Sequence, residues 1–199
     1  MTRWATFASA LLVAAFAATS TATGEEGWIT LFDGKHLDHW QGDGTANFQI
    51  ANGSIMAVDK KDPKAAAANL VSKESFKDFE LRAEFWVSAD ANSGIYIRCT
   101  DPAKVNSKSA YEVNIFDTRP DPSYGTGAIV DTAKAEKVVK TGGKWNEYHI
   151  VAKGSKFTLT LNGVKTVDGA EDSKFPEGRI ALQFGQGVVM FRKVEVKKL

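Results

Sequence analysis

Apolar and polar residues alternate along much of the chain, and the three-to-four-residue rhythm of an amphipathic helix is scarce. From Glu80 to Val87 the apolar positions are Leu81, Ala83, Phe85 and Val87. These form one side of a strand, because successive strand side chains point to opposite faces. The same rule predicts strands over Ile95–Cys99, Tyr111–Phe116, Glu147–Lys153, Lys156–Leu161, Arg179–Phe184 and Val188–Lys197. Between them lie the clusters Ala51-Asn52-Gly53, Lys153-Gly154-Ser155 and Leu161-Asn162-Gly163-Val164. The last two read as tight hairpin turns, since Asn and Gly accept the positive φ such turns require. Asp101 to Ser109 and Arg119 to Lys140 are polar, marked by Gly or Pro, and read as loops. Pro63 to Asn69 is the one helix-like stretch, an alanine run read as a loop or a single turn. Many short strands without a βαβ rhythm predict an all-β, two-sheet antiparallel sandwich.

The N-terminus changes the picture of where the protein works. Thr2-Arg3 is followed by a small and apolar run, Ala5 to Ala18, and then by Ser20-Thr21-Ala22. This is the architecture of a secretory signal cleaved after Ala22. The run is too short and alanine-rich for a membrane span, which needs about 20 apolar residues. The expected organisation is a signal sequence over 1–22, a short linker over 23–26 and one sandwich domain over 27–199. The mature chain is expected to be exported, periplasmic or extracellular, with no membrane attachment after cleavage.

Basic and acidic residues number 25 and 24 and are interspersed, so no basic face exists to recruit nucleic acid. The single Cys99 cannot form an internal disulfide. It reads as a buried hydrophobe that continues the inward alternation of Ile95 and Ile97.

Separating strand faces gives the candidate chemistry. Ile95/Ile97, Val113/Ile115 and Ile180/Leu182 must face a core, which turns Tyr96, Arg98, Glu112, Asn114 and Gln183 the other way. Glu84 and Trp86 project likewise from the preceding strand. With these strands adjacent, one face carries charges, planar amides and aromatic rings, the groups that grip sugar hydroxyls and stack on sugar rings. Polar-out alternation is also the default of a half-solvated antiparallel sheet, so each residue alone is weak.

Glu112-Val-Asn-Ile-Phe-Asp117 has the spacing of the catalytic strand of laminarinase-like glycosidases, with Asn and Asp at its second and third positions. Retaining hydrolysis needs two carboxyls about 5–5.5 Å apart. Glu112 and Asn114 are about 7 Å apart along a strand and only one ionises. Asp117 returns to that face only through a bulge, so an ordinary two-carboxylate glycosidase is disfavoured. His149 is a further acid/base candidate. His36 and His39 lack an identifiable third ligand for zinc. Walker, dinucleotide-binding, His-Glu-x-x-His and Gly-x-Ser-x-Gly motifs are absent.

An ordered series of blocks runs through the chain: Gly27–Lys35 with Trp40, Asn92–Arg98, Tyr111–Asp117, Thr126–Ile129, Lys144–Asn146, Leu161–Gly163, and Gly178–Gln183 with Phe191-Arg192. It resembles the 3-keto-disaccharide hydrolase family over essentially all of the expected mature chain. The resemblance implies a concanavalin A-like jelly roll of the lectin/glucanase type. It also implies cleavage of glycosides whose C3 hydroxyl is oxidised to a ketone. Two departures stand out: family members often have Gln at the position of Asn114, and many have His after the Leu-Gln pair, where this chain has Phe184-Gly185.

A C3 ketone acidifies the C2 proton, so one base suffices to start elimination of the C1 group. That assigns Glu112 as base and Arg98 with Asn114 as enolate and hydroxyl grips. Tyr96, Trp86 and Gln183 would position the sugar, with Glu84, Asp117 and His149 as its other candidate contacts. No cofactor is required; a divalent ion on Glu112 or Asp117 would replace Arg98 as the electrophile. The expected partner is a small carbohydrate. A non-catalytic carbohydrate-binding module and a surface scaffold are the competing readings, since a fold alone does not warrant activity.

Overall fold

The computed structural model describes residues 25–60 and 67–199. The expected signal sequence over 1–22 and part of the helix-like stretch lie outside the described residues. The end of that stretch is corrected: Ala68 and Asn69 open a strand.

Thirteen strands are present among the described residues: β1 (Trp28–Phe32), β2 (Trp40–Gly42), β3 (Ala46–Ala51), β4 (Ser54–Lys60), β5 (Ala68–Phe76), β6 (Phe79–Val87), β7 (Asn92–Cys99), β8 (Tyr111–Ile115), β9 (Trp145–Lys153), β10 (Lys156–Leu161), β11 (Val164–Glu171), β12 (Gly178–Gln186) and β13 (Val189–Lys198). The larger sheet runs β11-β10-β9-β6-β13-β4-β3, with β1 also pairing β13; the smaller runs β2-β5-β12-β7-β8. All named pairings are antiparallel. The expected two-sheet sandwich is the observed architecture, and no helix among the described residues is long and apolar enough to cross a membrane.

Alternation builds the core as anticipated. Leu81, Ala83, Phe85 and Val87 of β6 join Ile95, Ile97, Val113, Ile115, Ile180 and Leu182 in one buried cluster between the sheets. Each such large side chain contributes about 1.5–3 kcal/mol of burial free energy. The β10–β11 turn has Asn162 at φ 50° and Gly163 at φ 76°. Asn52 and Gly53 repeat this at the β3–β4 turn, with φ 50° and 71°. Both fit the type I′ hairpin geometry that Asn-Gly favours.

One element breaks the alternation. Arg98 has φ 53°, and four residues of β7, Tyr96 to Cys99, span three of β12, Ala181 to Arg179. The extra residue of β7 is a β-bulge, which turns the following side chains to the other face. Cys99 therefore packs beside Tyr96, Val71, Ala110 and Ala181 on the outer side, not inward after Ile97 as expected. Arg98 turns inward and is fully buried, which removes it from the polar face to which the sequence assigned it. Its Nε donates to Lys77 O at 2.9 Å, and its Nη1 to Gly154 O and Phe175 O at 2.7 and 3.3 Å. Its Nη2 meets Asp78 Oδ1 at 3.2 Å, and Asp78 Oδ1 also accepts from Gly154 N.

Truncating this side chain takes the guanidinium donors from the Lys77, Gly154 and Phe175 carbonyls and leaves the half-buried Asp78 carboxylate with Gly154 N alone. Arg98→Ala is expected to lose about 3–5 kcal/mol of stability, read as a lowered urea midpoint. Arg98→Lys, with one compact ammonium and no planar fork, should recover only part of the loss.

Candidate functional site

The outer face of the smaller sheet carries a connected set of buried polar side chains. Cross-strand register places Tyr96 of β7 opposite Glu112 of β8 and Ala181 of β12. In the adjoining row, Asn69 of β5 lies opposite Gln183 of β12, Gln183 opposite Gly94 of β7, and Gly94 opposite Asn114 of β8. The Tyr96 hydroxyl is hydrogen-bonded to Glu112 and accepts Gln183 Nε2 at 2.9 Å. Gln183 Nε2 also reaches Glu112 Oε1 at 3.4 Å.

Burial pushes the Glu112 carboxyl above its ordinary value, against the lowering influence of Tyr96, Arg119 and Gln183. Desolvation disfavours the charged form. The Tyr96 hydroxyl is pushed up by burial and by the Glu112 charge, so it stays protonated and donates to the carboxylate. Gly94 has no side chain between them. A Cβ there would stand 3.1 Å from Val113 O and 3.3 Å from Glu112 Cγ, so the glycine lets Glu112 lie flat on the sheet.

The free edge of β8 is covered by the segment over residues 127–130. Val130 N donates to Glu112 O at 2.9 Å, Asn114 N to Ala128 O at 3.0 Å, and Gly127 N to Asn114 O at 3.2 Å. Tyr148 of β9 reaches across the sandwich to brace this segment: its hydroxyl donates to Asn114 O at 2.7 Å and accepts from Gly127 N at 2.9 Å. Just beyond, Asp131 is held at φ 58°. Its charge raises the Glu112 pKa, and that of Arg119 lowers it. Neither residue was identified from the sequence, because both sit in loops that carry no periodic signal.

Among the sequence-predicted residues, Glu112, Tyr96 and Gln183 converge. Asn114 shares the face but is fully buried, with Nδ2 donating to Tyr124 O at 2.6 Å. Arg98 is inside. Glu84 and Trp86 are corrected: β6 belongs to the larger sheet, so they lie across the sandwich from Glu112. Glu84 is paired with Arg192 at 2.7 Å and lines a groove of about 670 Å³ with Thr30, Asp33, Arg192 and Lys193, where its charge is already met. Trp86 lies opposite Trp145. His149 is on that same sheet, 2.8 Å from Glu80 Oε2.

Asp117 is a loop anchor. It accepts from Thr126 Oγ1, Thr141 N and Gly142 N at 2.6, 2.7 and 3.1 Å. These bonds outweigh burial and hold its carboxyl below the ordinary value. His36 is tied to Asp33 at 3.0 Å. No cluster of three or more His, Cys, Asp or Glu suited to a metal occurs among the described residues.

Comparison with known proteins adds identity to this geometry. The family described as the 3-keto-alpha-glucoside-1,2-lyase-like domain matches residues 27–197. The 3-keto-disaccharide hydrolase of Bacteroides thetaiotaomicron is 28% identical over 65% of this chain, which spans only 54% of that relative's length. A Parabacteroides distasonis protein assigned as a glycosyl hydrolase superposes with TM-score 0.75 at 20% identity, covering 87% of this chain and 94% of its own. Carbohydrate-binding module CBM66 of Bacillus subtilis shares the fold with TM-score 0.61 at 16% identity, over 80% of this chain and 96% of its own.

The raised Glu112 carboxyl has a stability consequence. The folded state keeps this proton to higher pH than the unfolded chain, so its contribution is full below the ordinary value of 4.5. It is lost as pH rises through the folded value. Urea midpoints followed between about pH 4 and about pH 8 should show Glu112→Gln gaining on the wild type as pH rises.

Proposed function

The chain belongs to the 3-keto-alpha-glucoside-1,2-lyase-like family, and on that premise we propose that it cleaves 3-keto-glycosides or 3-keto-disaccharides on the Tyr96–Glu112–Gln183 face. The observation that carries the reading is one buried carboxylate with a raised pKa, hydrogen-bonded to Tyr96 and Gln183; among the described residues the carboxylate whose charge reaches it, Asp131, stands on a loop and makes no hydrogen bond to it. That suits a single-base reaction and not double displacement.

In this reading the ketone-bearing ring lies over Glu112. Glu112 takes the C2 proton, and the electron pair left behind is delocalised onto the C3 oxygen as an enolate. Collapse of the enolate breaks the bond from C1 to the leaving oxygen, and that oxygen takes the proton held by Glu112, which restores the carboxylate. Water adding across the resulting C1–C2 double bond completes a net hydrolysis; without that addition the reaction is a lyase step. Burial tunes the base upward, toward the range where a carboxylate abstracts protons effectively near neutral pH.

The enolate needs a nearby positive group. Arg98 was the sequence candidate and faces the core; Arg119, whose charge acts on Glu112, takes that role in the proposal. Tyr96 and Gln183 hold the carboxylate. Asn114 stays in the proposal as a support of the strand, bonded to the Tyr124 carbonyl. Export to the periplasm or the outside, after removal of residues 1–22, belongs to the same proposal.

A chromogenic 3-keto-glucoside tests the reaction. Glu112→Gln is expected to lose at least about 100-fold in kcat/KM, the usual contribution of a positioned base. The wild-type kcat/KM should rise with pH through a value above 4.5, because the base works only when ionised. Saturable sugar binding without turnover would instead favour a carbohydrate-binding module.

A further inference from the structure

Three buried amide oxygens on the catalytic face have no partner among the described residues, Asn114 Oδ1 being one, and the other two lie directly opposite each other. That opposed pair is Asn69 Oδ1 on β5 and Gln183 Oε1 on β12. The two residues are 6% and 9% exposed. An unmet buried acceptor costs about 1–3 kcal/mol, so such atoms call for an explanation.

The orientation of each amide is fixed by its neighbours and is not a free choice of flip. Asn69 Nδ2 lies 2.9 Å from Asp43 Oδ2, and a carboxylate oxygen only accepts, so the amide nitrogen must face it. Gln183 Nε2 faces the Tyr96 oxygen, whose own proton is committed to Glu112. In both residues the nitrogen is anchored to protein and the carbonyl oxygen is left over.

Asp43 acts as a brace for the first of them. Its Oδ2 also accepts Asn69 N at 2.9 Å, and its own backbone N donates to Asn69 O at 3.0 Å. Its Oδ1 accepts Thr45 N at 2.9 Å and the Thr45 hydroxyl. With both oxygens engaged, Asp43 holds Asn69 in one rotamer. Directly opposed residues in antiparallel strands have Cβ atoms about 4.5–5.5 Å apart, so the two acceptors address neighbouring positions on one ligand.

Acceptors without donors select a ligand rich in O–H groups. We propose that Asn69, positioned by Asp43, pairs with Gln183 to read hydroxyls of the leaving group, making Asn69 a specificity-determining residue. The assignment rests on the proposed reaction at Glu112. Glu112 Oε1 lies 3.4 Å from Gln183 Nε2, and Asn69 is one strand step past Gln183, about 4.8 Å. With C2 of the ring over Glu112 and the bond from C1 directed toward β5, the group that meets Asn69 in this proposal is the one across the scissile bond. A sugar leaving group offers hydroxyl donors there, and a plain aryl group does not.

The test compares kcat/KM for a 3-keto-disaccharide with that for an aryl 3-keto-glucoside, in wild type, Asn69→Leu and Asp43→Ala. Both variants should lower the disaccharide-to-aryl ratio about 10-fold, the worth of one hydrogen bond. The loss should lie mainly in KM, since the contact is made equally in ground and transition states. Should a variant not fold, removing single hydroxyls from the leaving sugar on wild-type enzyme gives the same ratio change. An unchanged ratio, or no response to any deoxygenation, overturns the role of Asn69 while leaving turnover at Glu112 intact. Ca²⁺ binding lost in Asn69→Leu would also overturn it, by giving the acceptor pair to a cation.

Wild-type inactivity on both substrates would count against the reaction itself. Calorimetry with the unoxidised disaccharide and methyl glucoside then decides for Asn69: a preference for the disaccharide that Asn69→Leu abolishes supports the subsite, and one that it retains overturns it.

Discussion

The Arg98 guanidinium binds backbone carbonyls from three separate segments and the Asp78 carboxylate, and the register of the functional face depends on it. The bulge that carries this side chain inward needs a left-handed backbone, costing of order 1–3 kcal/mol in a residue other than Gly. The charge-assisted bonds, roughly twice as strong as neutral ones, offset that cost. On the N-terminal side of the bulge Tyr96 faces out, toward Glu112 and Gln183. On its C-terminal side Cys99 faces out as well, and closes a small apolar cluster beside Tyr96. One buried cation thus ties the β9–β10 turn and the loop before β12 to the strand that presents the site.

The site works against stability in a way that fits its proposed chemistry. Glu112 is held in surroundings that disfavour its ionised form, and the donors beside it only partly compensate. A surface carboxylate on the same strand would cost nothing and would also be a poorer base. The contrast with Asp117, five residues on, is instructive. That carboxylate is also partly buried, yet several donors from Thr126, Thr141 and Gly142 hold its pKa down. Both are acidic side chains in the same sequence block, and deeper burial of Glu112 together with the larger number of donors to Asp117 separates a candidate base from a loop anchor.

The opposite face shows how polar chemistry can collect without forming a comparable centre. Glu84 is neutralised by Arg192, whose guanidinium stacks 3.8 Å from the Trp145 ring, and Arg82 packs 4.0 Å from the Trp28 ring. These are cross-strand pairs of the kind that stabilise an exposed sheet by fractions of a kcal/mol each. The aromatic and charged composition that suggested one rich face is divided between two sheets on opposite sides of the sandwich.

What the sequence determined by itself follows from local periodicity and turn chemistry. Strands from β6 to β10, with β12 and β13, were legible because each shows alternating apolar residues, and Asn162-Gly163 named its own hairpin. Glu112, Tyr96 and Gln183 were legible as outward residues for the same reason, and the ordered blocks identified the family. β5 was lost because Ser72 to Ser75 breaks its alternation where four of its residues face two of β12. Alternation assigns a side chain to one of two faces of a strand, but it cannot say to which sheet the strand belongs. Glu84 and Trp86 were therefore separable from Glu112 only once β6 was seen to pair with β9 and β13. Nor does it survive a bulge, and so Arg98 and Cys99 exchanged sides. Arg119, Asp131 and the Asp43–Asn69 brace come from loops and a distant strand brought in by tertiary pairing, the one level of organisation that a local pattern does not encode.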